Sequence, residues 1–144
     1  MFSRRGGFSR LTTPYRSGLE DKVAAQLKEA GVPVKYEKGK IKYQVPCSNH
    51  SYTPDFILPN GIIVETKGIF EPSDRQKHLL VKKQYPHLEI RFVFTNPQTR
   101  LYKGSPTTYA MWCQKNGYKY AKGYIPDEWI KDKKKYSLEG VVFK

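Results

Sequence analysis

Glu65 and Lys67 stand two residues apart in the run Ile62-Ile63-Val64-Glu65-Thr66-Lys67. In a strand, residues two apart point to one face, roughly 7 Å from each other. Ile62, Val64 and Thr66 then take the opposite face. A second apolar run, Phe56-Ile57-Leu58, follows Asp55, and Pro59-Asn60-Gly61 carries turn chemistry between the two. Residues 53–58 and 62–67 therefore read as the arms of a β-hairpin. A three-residue loop sets Leu58 against Ile62 and Asp55 against Glu65, with cross-strand Cβ atoms about 5 Å apart. A two-residue loop, Asn60-Gly61, would pair Asp55 with Thr66 instead. We favour the first register because it gathers the charged groups on one face.

Adjacent carboxylates in an apolar hairpin repel each other. A divalent cation between them removes that cost. Mg²⁺ needs only a few hard oxygen ligands and keeps several waters, so Asp55, Glu65 and one backbone carbonyl would suffice. Such an ion stabilises charge building on a scissile phosphate and lowers the pKa of a bound water. Lys67 could hold that water or a phosphate oxygen. A surface salt bridge among the three residues is the plain alternative. The flanking apolar residues argue against it, because they make the pair half-buried.

The 144-residue chain fits one domain with a modest core, and 38% hydrophobic residues are enough to fold. Lys and Arg number 26 against 13 Asp and Glu, a net charge of +13. That surplus favours a polyanionic partner. Cys47 and Cys113 are far apart, and neither they nor His50, His78 and His87 form a zinc pattern. A reducing, intracellular compartment is the simplest expectation. No apolar run approaches the ~20 residues of a membrane span. Arg4, Arg5 and Arg10 precede no hydrophobic segment, so no secretion signal is expected. Residues 1–14 read as a flexible basic arm.

The elements that must position the hairpin follow from periodicity. Ser17 opens a helix in which Leu19, Val23, Leu27 and Ala30 recur at helical spacing, and Gly31 ends it. Val32, Val34 and Tyr36, then Ile41, Tyr43 and Val45, alternate as two strands with a turn near Lys38-Gly39-Lys40. Residues 44–52 are polar and read as a connector. After the hairpin come a helix over 73–85, an apolar strand over 88–94 and a helix over 107–116. A short strand over 118–121, a short helix over 125–130 and a charged tail complete the chain. The sum is an α/β protein, a mixed sheet flanked by helices. Trp112 reads as core, and Tyr118, Tyr120 and Tyr124 as packing residues. Arg75, Lys77 and His78 begin the second helix, whose amides could receive a phosphate. Lys103, beside Gly104-Ser105-Pro106, could contact a nucleic-acid backbone.

Pro54-Asp55, nine residues, then Glu65-Thr66-Lys67 matches the PD-(D/E)xK nuclease signature. The runs from Tyr15 to Val23, Ser48-Asn49-His50, Tyr52-Thr53-Pro54-Asp55-Phe56 and Leu101 to Thr107 resemble the bacteriophage endonuclease I family of Holliday-junction resolvases. The resemblance covers residues 15–131 and shows no departure at the catalytic positions. It implies a restriction-endonuclease-like fold and a structure-selective endodeoxyribonuclease that cuts four-way and other branched DNA. Asp55, Glu65 and the Thr66 carbonyl would hold one Mg²⁺, and Glu20 would share a second with Asp55. Mn²⁺ should substitute. Ser17-Gly18-Leu19-Glu20 is also a capping box, which would use Glu20 locally. Against that, Val23, Ala24 and Leu27 lie three, four and seven residues on, so Glu20 borders the core.

Two opposed cuts at a junction favour a two-fold dimer. The resemblance further implies a domain-swapped homodimer with composite sites. Residues 15–45 would be the swapped element, 46–52 the bridge, 53–131 the core of the nuclease domain and 132–144 a charged tail. Pro46 would favour an extended bridge. Arg4, Arg5, Arg10, Arg16, Arg75, Lys77, His78 and Lys103 are the candidate DNA contacts. No nucleotide cofactor and no membrane partner are expected. Action in the cytoplasm of a bacterial host follows from the resemblance. Two rivals remain, a sequence-specific restriction-type nuclease and a binding protein with a decayed site. Cleavage of junctions of unrelated sequence and metal-dependent nicking separate them.

Overall fold

The computed structural model describes residues 18–45 and 48–143. Helix α1 (Gly18–Glu29) buries Val23, Ala24 and Leu27 on one stripe. It stops where Gly31 adopts φ 70° and the amides of Gly31 and Val32 turn back to Lys28 and Leu27 carbonyls. Five strands follow: β1 (Lys35–Tyr36), β2 (Gly39–Val45), β3 (Ser48–Tyr52), β4 (Phe56–Ile57) and β5 (Ile63–Lys67). Next come α2 (Pro72–Gln84), β6 (Ile90–Phe94), α3 (Tyr109–Asn116), β7 (Tyr120–Lys122), α4 (Asp127–Ile130) and β8 (Val141–Phe143).

The main sheet has the order β1-β4-β5-β6-β7. Its first two pairings are antiparallel and its last two parallel, so the sheet is mixed. Both faces are covered. Ile63, Phe92 and Phe94 pack with Phe70, Val81 of α2 and Trp112 of α3. Phe56, Val64 and Val93 pack with Val23 and Leu27 of α1 and Trp129 of α4. Such two-sided cover buries β5 from Ile63 to Thr66 and all of β6, and Glu65 is buried with them. No helix among the described residues is long and apolar enough to cross a membrane.

Three expectations change. The strands before and after Lys38 exist but do not pair with each other. β1 joins β4 in the main sheet, while β2 lies between β3 and β8 in a separate antiparallel sheet. Glu37, at φ 48°, stands where the chain changes sheets. The expected connector is partly strand: Gln44 and Val45 finish β2, and 48–52 form β3, with Ile41 opposite Tyr52. Only Tyr52 of β3 is buried. Backbone pairing needs no apolar side chains, so polarity concealed the strand. The charged tail is packed against the body. The Tyr136 amide donates to the Asn60 carbonyl at 2.8 Å, and β8 pairs with β2. The basic arm, Ser17 and Pro46 lie outside the described residues.

Candidate active site

The hairpin has the three-residue loop. Phe56 opposes Val64, Ile57 opposes Ile63, and the Leu58 amide donates to the Ile62 carbonyl at 2.9 Å. Continuing that register sets Asp55 opposite Glu65. Asp55 lies in a bend just before β4, so its side chain is not held by the pleat. Its Oδ2 accepts from the Thr66 amide at 2.9 Å and the Thr66 hydroxyl at 2.8 Å. Glu65 Oε2 accepts from the Tyr52 hydroxyl at 2.6 Å and the Asp55 amide at 2.9 Å. The two carboxylates are thus locked by each other's neighbourhoods. Asp55 is 5% exposed and Glu65 2%.

Glu20 arrives from α1, on the apolar stripe with Val23 and Leu27, and is buried. The Tyr36 hydroxyl donates to Glu20 Oε2 at 3.0 Å. Carboxylate oxygens of Glu20, Glu37 and Asp55 lie within 4.8 Å of one another. Glu65 stands outside that trio. Sequence reasoning missed Glu37, since it sits in a basic turn that reads as solvated. Its amide donates to the Asp55 carbonyl at 3.2 Å, which ties the sheet crossing to the site.

This gathering of acid has an electrostatic signature. Burial and then the Asp55 charge push the Glu65 carboxyl up to about 8, although Lys67, Tyr52 and the Asp55 amide oppose the rise. Burial and the Glu20 carboxylate push the Tyr36 hydroxyl far above the usual tyrosine range. Lys67 Nζ lies 3.1 Å from Asp74 Oδ1. Asp74 Oδ2 accepts from the Glu71 amide at 3.1 Å, so the lysine is held against the start of α2. Hard oxygens, mutual repulsion and one nearby ammonium are the equipment for holding a divalent cation beside a phosphate.

The predicted DNA contacts divide. His78 is overturned as one. It is fully buried, edge-on to Tyr52 at 5.0 Å and Phe92 at 4.9 Å. Burial first, then Lys77 and Lys67, hold its imidazole well below the usual range, so it is neutral. The N-terminus of α2 is no phosphate site either, because Pro72 offers no N–H and the Glu71 and Asp74 carboxylates occupy the turn. Arg75 braces the loop by donating to the Phe70 carbonyl at 2.7 Å. Lys77 lies over the Tyr52 ring at 4.9 Å, and Lys103 is exposed beside Gly104. Arg4, Arg5, Arg10 and Arg16 are outside the described residues. Trp112 and Tyr118 are core, stacked at 5.5 Å. Tyr120 is half-buried, and Tyr124 departs from expectation, 52% exposed with Lys22 Nζ over its ring.

The family model described as Phage endonuclease I matches residues 3–143. Endonuclease I of Escherichia phage T7 is 58% identical over 121 residues, 84% of this chain and 81% of that protein. Endodeoxyribonuclease 1 of Enterobacteria phage T3 is 52% identical over 121 residues, 84% of this chain and 80% of that protein. With nearly its whole length matched, this chain belongs to the phage endonuclease I family.

Proposed function

We propose that this protein is a metal-dependent endodeoxyribonuclease that resolves four-way and other branched DNA junctions. The observation that carries the reading is the convergence of buried Asp55, Glu65 and Glu20 with Lys67 in a protein of net charge +13. The relatives named above are endonucleases, one of them named for DNA. The donor set fits a divalent cation: oxygens of Glu20, Glu37 and Asp55 lie within 4.8 Å of one another, and burial, then the Asp55 charge, push the Glu65 carboxyl upward. Asp55, Glu65 and the Thr66 carbonyl would hold one ion, and Glu20 with Asp55 a second. A bound Mg²⁺, or Mn²⁺ in its place, supplies charge stabilisation at the scissile phosphate and an activated water.

The chain's own residues do the rest. Lys67, restrained by Asp74, presents its ammonium beside the carboxylates to a phosphate oxygen or to the attacking water. Exposed Lys and Arg supply affinity through phosphates. Selectivity rests on the shape of the branched backbone. Phage DNA processing within a bacterial host is the setting. The test is a synthetic four-way junction with Mg²⁺ or with EDTA. Cleavage in Mg²⁺ at junctions of unrelated sequence, with matched linear duplex spared, is expected. Cleavage in EDTA, or none in Mg²⁺, overturns the reading.

The active form we propose is a domain-swapped homodimer. Within one chain, Glu20 meets the Asp55 of that same chain. Parting β2 from β3 would repeat the contact between chains. Glu20→Ala and Glu65→Ala proteins, unfolded and refolded together, test this. A swapped heterodimer carries one intact site and nicks one strand. An unswapped one has a lesion in each site and cuts nothing.

A further inference from the structure

The last residue of β3, Tyr52, has no role in the reading above, yet its hydroxyl makes the shorter of the two hydrogen bonds to Glu65, 2.6 Å to Oε2. The other comes from the Asp55 amide, on the same oxygen at 2.9 Å. A carboxylate oxygen has two in-plane lone pairs, so these two donors saturate Oε2. Oε1 accepts no hydrogen bond among the described residues, and it is the oxygen left to serve as a ligand. The ring that carries the hydroxyl is fixed. Tyr52 is 3% exposed, edge-on to His78 at 5.0 Å, with Lys77 Nζ 4.9 Å from its centroid. Its backbone is held opposite Ile41 of β2.

We propose that Tyr52 is a positioning residue for the metal centre: by holding Glu65 through Oε2, its hydroxyl fixes the rotamer in which Oε1 faces the cation. This rests on the metal-dependent reading above. His78 serves the same end from behind. It is a neutral, fully buried ring that keeps Tyr52 from turning away. A ligand carboxylate left to rotate must be ordered by each ion that binds. Partners that orient metal ligands in this way are typically worth 10–100-fold in metal affinity.

The substitution Tyr52→Phe keeps the ring, and so its packing against His78 and Lys77, and deletes only the donor. Mn²⁺ is titrated into the full-length protein without DNA, and the free ion is followed by electron paramagnetic resonance. Wild type, Tyr52→Phe and Glu65→Ala are compared. The expected result is a Mn²⁺ dissociation constant raised 10–100-fold in Tyr52→Phe, with loss of a site in Glu65→Ala. In junction cleavage, Tyr52→Phe should need correspondingly more Mn²⁺ for half-maximal rate and recover near wild-type kcat at saturation. Wild-type Mn²⁺ affinity in Tyr52→Phe overturns the inference. So does a fall in kcat that no Mn²⁺ concentration restores, which marks a merely structural role or a failure to fold. If Glu65→Ala also binds Mn²⁺ like wild type, the metal reading itself falls, and the two failures are told apart.

Discussion

The two ends of the β4–β5 hairpin solve opposite problems. At the turn, Asn60 donates to the carbonyls of Trp129 at 2.9 Å and Asp132 at 3.1 Å, and its own carbonyl receives the Tyr136 amide. Nearby Arg91, 2% exposed, pairs with Glu89 at 2.8 Å and bonds the Tyr136 hydroxyl at 3.2 Å. Opposite charges and matched donors satisfy that end. At the other end Asp55 and Glu65 are equally buried, and Glu20 and Glu37 gather on Asp55, so carboxyl groups crowd together. The same short hairpin thus has one end arranged for stability and one whose crowded carboxyl groups suit a cation. Sites commonly break the rules that the rest of a fold obeys.

The largest effect that would break this contrast is on activity. Asp55→Ala, Glu65→Ala and Lys67→Ala should each lower junction cleavage on the order of 100-fold or more, while junction binding in EDTA stays near wild type. Rates within tenfold of wild type for all three would erase the distinction between the ends.

The turn end should answer in stability instead. Gly61 has φ +93°, and a Cβ there would run into the Tyr136 carbonyl. Gly61→Ala should cost about 1–3 kcal/mol, lowering Tm by roughly 5–10 °C, with kcat at a permissive temperature unchanged. Asn60→Ala takes the donor from the buried Trp129 carbonyl and from the partly buried Asp132 carbonyl, and should cost a similar ~1–3 kcal/mol. A thermal melt that leaves Tm unmoved refutes the assignment of the turn as the anchored end.

Acidity sharpens the comparison further. In metal-free protein, folded Glu65 keeps its proton up to about pH 8, whereas the ordinary value is 4.5. Between those values the folded state binds more protons than the unfolded one, so this group's contribution to stability falls as pH rises. The slope is at most ~1.4 kcal/mol per pH unit, complete above about pH 8. Glu65→Gln should remove the trend, and saturating Mg²⁺ should suppress it in wild type. Parallel stability curves for wild type and Glu65→Gln in EDTA would mean that burial and the Asp55 charge do not hold the Glu65 carboxyl up. The smallest effect belongs to neither end. Lys103→Ala should weaken junction binding a few-fold and flatten the slope of log K against log salt by about 0.9, with cleavage of bound junction unaltered.

Local sequence decided the hairpin and the spacing of Asp55, Glu65 and Lys67, because turn residues and a two-residue strand period act between near neighbours; between a two- and a three-residue loop only the grouping of charges chose. It likewise decided the stripe of α1 that carries Glu20 inward, since Val23 and Leu27 lie on the same face. Where the chain changes partners, sequence was silent. Lys35-Tyr36 and residues 39–45 look like a hairpin, yet they enter different sheets, and the turn between them brings Glu37 to Asp55. His78 looks like any basic residue on a polar helix, and only the closure of Tyr52 and Phe92 around it makes it core. Val141–Phe143 and Tyr136 find partners in β2 and Asn60, far back along the chain. Such pairings depend on which surfaces meet after collapse, and no local propensity encodes that choice.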